Sequence, residues 1–156
     1  MRFTKMHGAG NDYVYIDGRN MDKDWSALSI AMSDRNFGVG SDGVIVAMSS
    51  EDADLKMMMF NADGSEGKMC GNGIRCLVAF ALKQGIVKKS KTRVMVSTLS
   101  GLRWVEPKWE NDKVTGAVVG MGDPIFIADE IPVMVDKSSY TSIHGQASIL
   151  DYPIDA

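Results

Sequence analysis

The residues best suited to chemistry lie in one stretch, Asn61-Ala62-Asp63-Gly64-Ser65-Glu66-Gly67-Lys68-Met69-Cys70-Gly71-Asn72-Gly73-Ile74-Arg75-Cys76, which sets a thiol just ahead of an apolar run. If that run is a helix, the N–H groups of its first turn lack intrahelical acceptors and its dipole puts partial positive charge there. A thiolate at Cys70 is stabilised in such a place. Gly71 and Gly73 take side chains away from the approach, so a carboxylate can reach the same donors. The stretch can therefore hold an amino-acid carboxylate beside a proton acceptor. Spacing alone equally allows Cys70 to be a small buried hydrophobe and the glycines to form a simple turn. Cys76 falls among Ile74, Leu77 and Phe80 and reads as core.

Other chemistries fit less well. The two cysteines sit six positions apart, without the C-x-x-C spacing of a redox or zinc site, so neither a structural disulfide nor a metal is expected. Gly71-Asn72-Gly73 lacks the longer spacing of a dinucleotide loop, and Gly38-Val39-Gly40-Ser41-Asp42-Gly43 lies between a helix and a strand, the wrong order for a phosphate cradle. His7 with Cys70, oriented by Asn11 or Asn61, would make a cysteine hydrolase, but only if the fold brings them within hydrogen-bond reach.

The elements that must position Cys70 are legible as follows. Arg2 to Met6 reads as a strand, His7 to Asp12 as a glycine-marked loop, and Tyr13 to Asp17 as a second strand. Trp25, Leu28, Ala31 and Met32 recur at helical spacing within Asp22 to Asn36, with Asp22 or Asp24 as N-cap and Asn36 or Gly38 as stop. Gly43 to Met48 and Leu55 to Phe60 read as strands. Gly71 to Gln84 is apolar almost all round, which suits a helix buried inside a curved sheet and ended at Gly85. Thr92 to Thr98, Leu102 to Glu106 and Val114 to Val119 are further strands, the first two joined by a turn at Ser100-Gly101. The fold class expected is α+β, a mixed, curved β-sheet wrapped round a central buried helix. Residues 1–119 make that lobe, and residues 120–156, of weaker pattern, read as a linker and the start of another element.

Composition bounds the partners. The 156 residues, 45% hydrophobic and 24% charged with 16 glycines and 4 prolines, are those of an ordinary globular chain. A net charge of -3 without a dense basic block gives no reason to expect nucleic acid or an anionic membrane, and leaves a small molecule as the better partner. Residues 1–6 lack a secretory apolar segment and the run Cys76 to Leu82 is too short to span a bilayer, so a cytoplasmic location is expected. The twelve methionines are read as packing.

Three stretches together, Lys5-Met6-His7-Gly8-Ala9-Gly10-Asn11-Asp12, Gly38-Val39-Gly40-Ser41-Asp42-Gly43, and Phe60 to Glu66 running into Met69 to Cys76, resemble diaminopimelate epimerase. The resemblance covers roughly residues 1–122, and Val118 to Pro124 resembles that family's passage between its two lobes. It implies interconversion of LL- and meso-diaminopimelate with no cofactor and no metal, by two cysteines that face the substrate α-carbon from opposite sides, in an enzyme that is a homodimer when complete. By the same resemblance Cys70 is the first of these cysteines, and Asn11, Asn61, Gly71 and Asn72 contact substrate. Gly43 stands where certain relatives carry a substrate-touching glutamine. The family's second-lobe signatures, including its second Cys-Gly-(Ser/Thr)-Gly loop, do not occur in these 156 residues. The chain is accordingly expected to hold one of two required bases and to be inactive alone. Alternatives on the same residues are a racemase of another amino acid and a lobe that binds amino acids without catalysis.

Overall fold

The computed structural model describes residues 1–127, 130, 136, 138 and 140–148, in two units divided after Met121. The first unit runs β1 (Thr4–Gly8), β2 (Asn11–Asp17), α1 (Trp25–Ser33), β3 (Gly43–Met48), β4 (Leu55–Asn61), β5 (Glu66–Gly67), α2 (Gly71–Lys83), β6 (Val94–Thr98), β7 (Gly101–Glu110) and β8 (Lys113–Val119). The strands form one sheet in the order β1-β2-β3-β4-β6-β7-β8, with β5 paired to β4. Pairs β2/β3 and β4/β6 are parallel and the others antiparallel, and each parallel step is bridged by a helix, as the long crossover demands.

Helix α2 touches β1 and β2 at one end of the sheet and β7 and β8 at the other. The sheet therefore curls round it, in agreement with the expected α+β architecture. Tyr13, Tyr15, Ile45, Ala47, Met57 and Met59 face α2, while Val14, Ile16, Val44, Val46 and Phe60 face the opposite side with Trp25 and Met32 of α1. With both faces covered, β2 and β3 carry near-continuous apolar runs. Helix α2 ends in a Schellman arrangement: Gly85 N–H donates to the Leu82 carbonyl and Ile86 N–H to Ala81, with Gly85 at φ 71°.

Several boundaries differ from the sequence reading. The loop expected over His7 to Asp12 is a two-residue turn, Ala9 at φ 54° and Gly10 at φ 86°, because strand pairing continues to Gly8↔Asn11. Helix α1 is shorter than Asp22 to Asn36. Asp24 caps it by accepting from Ala27 N–H at 3.0 Å, and the Asp34 carboxylate ends it by accepting from the Asn36 and Phe37 N–H groups. Its buried face is Trp25, Ser29, Met32 and Ser33, with Ala31 exposed. Ser29 is tolerated inside because its hydroxyl donates to the carbonyls of Phe60 and Asn61.

The β6/β7 turn is Leu99-Ser100, since Thr98 pairs with Gly101. Strand β7 runs through Pro107 to Glu110, where Asn111 and Asp112, both at positive φ, turn the chain into β8. Proline is admitted because β6 pairs only as far as Val105, so beyond it β7 has a neighbour on one side alone. In the second unit the described structure is an antiparallel hairpin, β9 (Thr141–Ile143) and β10 (Gln146–Ser148).

Candidate active site

Strand order brings the polar ends of three neighbouring strands together. The parallel register Val14↔Val44 sets the start of β2 beside the start of β3, and Gly43↔Asn61 sets the end of β4 next to that. Asp42 N–H donates to the Asp12 carbonyl at 2.7 Å and Ala62 N–H to the Asp42 carbonyl at 3.1 Å, which extends the ladder past the strand ends. Helix α2 begins over the same end of the sheet.

Cys70 is the N-cap of α2 in extended backbone, and its sulfur accepts from Gly73 N–H at 3.3 Å. The thiol also donates to Asn11 Oδ1 at 3.4 Å. Cys70 is half-buried and packs against the edge of the core around α2. The N–H groups of Gly71 and Asn72 have no intrahelical acceptor, as at any helix start. A Cβ at Gly71 would meet only the Met121 side chain, at 3.8 Å, an ordinary contact distance, so packing does not by itself demand glycine there. Gly73 serves differently from the sequence reading: it is buried, and its missing Cβ lets Ile45 pack, whose Cδ1 would lie 2.5 Å away.

The Asn72 side-chain oxygen accepts from Arg75, three residues along the helix. Asn61 donates through Nδ2 to Ser65 Oγ at 2.9 Å, and its backbone pairs with the same turn, so it belongs to the β4/β5 corner. Of the five sequence-nominated residues, the geometry joins Cys70 to Asn11 directly and places Gly71 and Asn72 on the same first turn. Asn61 stands across Gly43 from that pair, with no contact to the thiol among the described hydrogen bonds. His7 is exposed on the strand position alternating with Met6, and Met6 packs on the core around α2. It makes no hydrogen bond to Cys70 among the described residues, and the hydrolase arrangement is not formed.

Two groups were not nominated by sequence. Tyr13 lies two residues from Asn11 on one face of β2 and is 5% exposed. Its phenol is pushed up to about 12 by burial and next by the adjoining Cys70 thiol. Alternation from Asn11 was the available signal. Asp42 accepts from Asn11 Nδ2 at 2.7 Å and from Asp12 N–H at 2.9 Å, and takes Arg35 on its other oxygen at 2.8 Å. Only the glycine-rich loop around it hinted at a role. Cys76 is buried, and burial pushes its thiol up. That agrees with its reading as core.

Residues 3–127 match the family model described as diaminopimelate epimerase. The diaminopimelate epimerase of Methanococcus maripaludis is 46% identical over 138 residues, covering 88% of this chain and 49% of that protein. That of Agathobacter rectalis is 43% identical over 159 residues, covering 100% of this chain and 54% of that protein. The chain spans about half the length of the curated relatives it matches. Among solved structures, a PhzF-family phenazine biosynthesis protein of Bacillus anthracis superposes with a TM-score of 0.55 at 19% identity, over 72% of this chain and 38% of that one. A hydroxyproline epimerase of Agrobacterium vitis superposes with a TM-score of 0.53 at 14% identity, over 75% and 40%. These two likenesses are of fold.

Proposed function

The chain belongs to the diaminopimelate epimerase family, and on that premise we propose that it supplies one of two acid/base groups, the Cys70 thiol, to the epimerisation of diaminopimelate. The observation that carries this reading is the position of Cys70 as N-cap of a helix whose first-turn Gly71 and Asn72 N–H groups have no intrahelical acceptor and can serve a substrate carboxylate.

Cys70 as thiolate takes the α-proton: the C–H bond breaks, an S–H bond forms, and the electron pair spreads into the carboxylate. Fixed N–H donors at the helix start stabilise that charge where it develops. Inversion then needs a proton delivered from the opposite face. The only other thiol, Cys76, points into the core and cannot supply it. The second donor therefore comes from residues outside these 156, and the roles of the two thiols exchange with the direction of reaction. Asn11 contacts the thiol, Asn72 and Gly71 receive the carboxylate, and Asn61 lines the far side. In this reading no cofactor takes part, the complete enzyme is a homodimer, and it works in the cytoplasm; among the described residues no helix is long and apolar enough to cross a membrane.

The test is α-hydrogen exchange in heavy water with diaminopimelate. The 156-residue chain is expected to exchange slowly without inverting, and a longer chain carrying a second cysteine loop is expected to invert. Robust epimerisation by the 156 residues alone would overturn the two-thiol reading. Full activity of the longer chain after Cys70→Ser would overturn the role of Cys70. A panel of other amino acids separates a diaminopimelate enzyme from a racemase of different substrate.

A further inference from the structure

The Asn11 side chain lies between two partners of different kind. Its Nδ2 donates to Asp42 Oδ2 at 2.7 Å, and its Oδ1 receives the Cys70 thiol at 3.4 Å. A carboxylate can only accept, so the amide has one permitted orientation, nitrogen toward Asp42 and oxygen toward the sulfur. Asp42 is itself fixed, by the Asp12 N–H on the same oxygen and by Arg35 on the other.

We propose that Asp42 is a positioning residue for the reacting thiol: by holding the Asn11 amide nitrogen it presents the amide oxygen alone to Cys70. An acceptor oxygen suits S–H and opposes S⁻, whereas the Gly73 N–H, 3.3 Å from the same sulfur, suits S⁻. Among the described hydrogen bonds the sulfur thus has one partner matched to each protonation state, with the Tyr13 phenol adjoining, as suits a group that must both give and take a proton. Were the amide free to turn, both partners would be donors and the sulfur would be biased to thiolate, a better base and a poorer acid. The charged and titratable groups around this sulfur are the Tyr13 and Tyr15 phenols on β2, the Cys76 thiol on α2, Asp42 before β3 with Arg35 beside it, and the start of α2. The inference rests on Cys70 being the reacting thiol.

The experiment measures the rate at which iodoacetamide alkylates Cys70 in the 156-residue chain at neutral pH, with the adduct located by mass spectrometry to separate it from buried Cys76. Thiolate is the species that reacts. Asp42→Ala, which releases the amide, is expected to raise the rate about fivefold, the scale of one hydrogen bond. Asp42→Asn lacks the charge but keeps an acceptor oxygen for Asn11, and is expected to stay within about twofold of the parent chain. In an Asn11→Ala background Asp42→Ala is expected to have no further effect.

Equal acceleration by the Ala and Asn variants would mean that the carboxylate acts through its field and not through Asn11, and would overturn the proposal. So would no change in Asp42→Ala, or an effect that persists without Asn11. Should Asp42→Ala fail to fold, the Asn11 side-chain amide signals of the unmodified chain decide: slow hydrogen exchange supports an amide held by Asp42, and fast exchange overturns it. Loss of α-hydrogen exchange with this alkylation pattern intact would count against the proposed reaction alone. The reverse result would count against the relay alone.

Discussion

The Tyr15 hydroxyl donates to the Gly73 carbonyl at 3.3 Å, tying the middle of β2 to the first turn of α2 from inside the core. Tyr15 is fully buried, and its phenol is raised far above its ordinary range, first by burial and then by the nearby Cys76. The bond fixes the helix start relative to the strand that carries Asn11, so it sets the spacing on which the Cys70–Asn11 contact depends.

Tyr15→Phe is therefore expected to cost about 1 kcal/mol, a typical net value for one hydrogen bond, since the Gly73 carbonyl keeps its helical partner. The check is denaturant unfolding of the two chains. The variant is also expected to alkylate at Cys70 with altered rate, because the helix start gains freedom. An unchanged midpoint and unchanged alkylation would show that packing of Tyr15 against Phe80, with ring centroids 6.1 Å apart, suffices to hold the register.

The cap and the chemistry of Cys70 separate by substitution. Cys70→Ala removes the acceptor of the Gly73 N–H and is expected to lose about 1 kcal/mol of stability. Serine is a preferred N-cap, so Cys70→Ser is expected to unfold at the parent temperature or above it. Both variants are expected to lose α-hydrogen exchange with diaminopimelate. Exchange that survives in Cys70→Ser would remove the thiol from the reaction, and a serine variant as unstable as the alanine one would remove it from the cap.

The site was legible where local rules act alone and obscure where partners are distant in sequence. Cys70 could be read as a helix start because cap, glycines and an all-round apolar run are contiguous, and Gly85 as a stop for the same reason. Tyr13 could have been found by alternation from Asn11, but Asp42 and the Arg35 that holds it could not be read as parts of the same site. What brings them there is the parallel β2/β3 register and the curl of the sheet, neither of which a local pattern specifies. The sequence reading stops this strand at Glu106, whereas β7 continues through Pro107 to Glu110, where the neighbouring β6 has already ended at its pairing with Val105. Ala31 belongs to the apolar positions at helical spacing yet is exposed, whereas polar Ser29 is buried through its bonds to the end of β4.

Gly73 tests whether its glycine serves packing or ligand access. A Cβ there would stand 2.5 Å from Ile45 Cδ1 and 3.3 Å from Cys70 Cβ. Gly73→Ala gains about 1 kcal/mol of helix propensity but overpacks a buried contact at about 1–3 kcal/mol, so a net loss is expected. Ile45→Val deletes the offending methyl. Adding it to Gly73→Ala should recover most of the loss, a coupling visible in a double-mutant cycle of unfolding midpoints. Strict additivity would mean that the strain at Gly73 falls on Cys70 instead.

Acid sensitivity should come from the charge cluster of Lys5 on β1, Asp12 on β2 and Arg35 after α1. The Asp12 carboxyl is held well below its ordinary value of 3.8, chiefly by its hydrogen bonds to Arg35, with Lys5 adding to this and burial opposing it. Because the folded state binds this proton later than the unfolded chain does, the contribution is complete above about pH 4 and is lost as pH falls through the lowered folded value. Stability of the parent chain is thus expected to decline steeply below about pH 4. Asp12→Asn should be less stable at neutral pH and should lose less on acidification. A residual acid slope remains from Asp17, which Arg19 also holds low. Urea midpoints across this pH range check it. If the two chains lose stability in parallel, the Lys5–Asp12–Arg35 cluster contributes nothing to the fold, and the orientation of the loop carrying Asp42 rests on its backbone bonds alone.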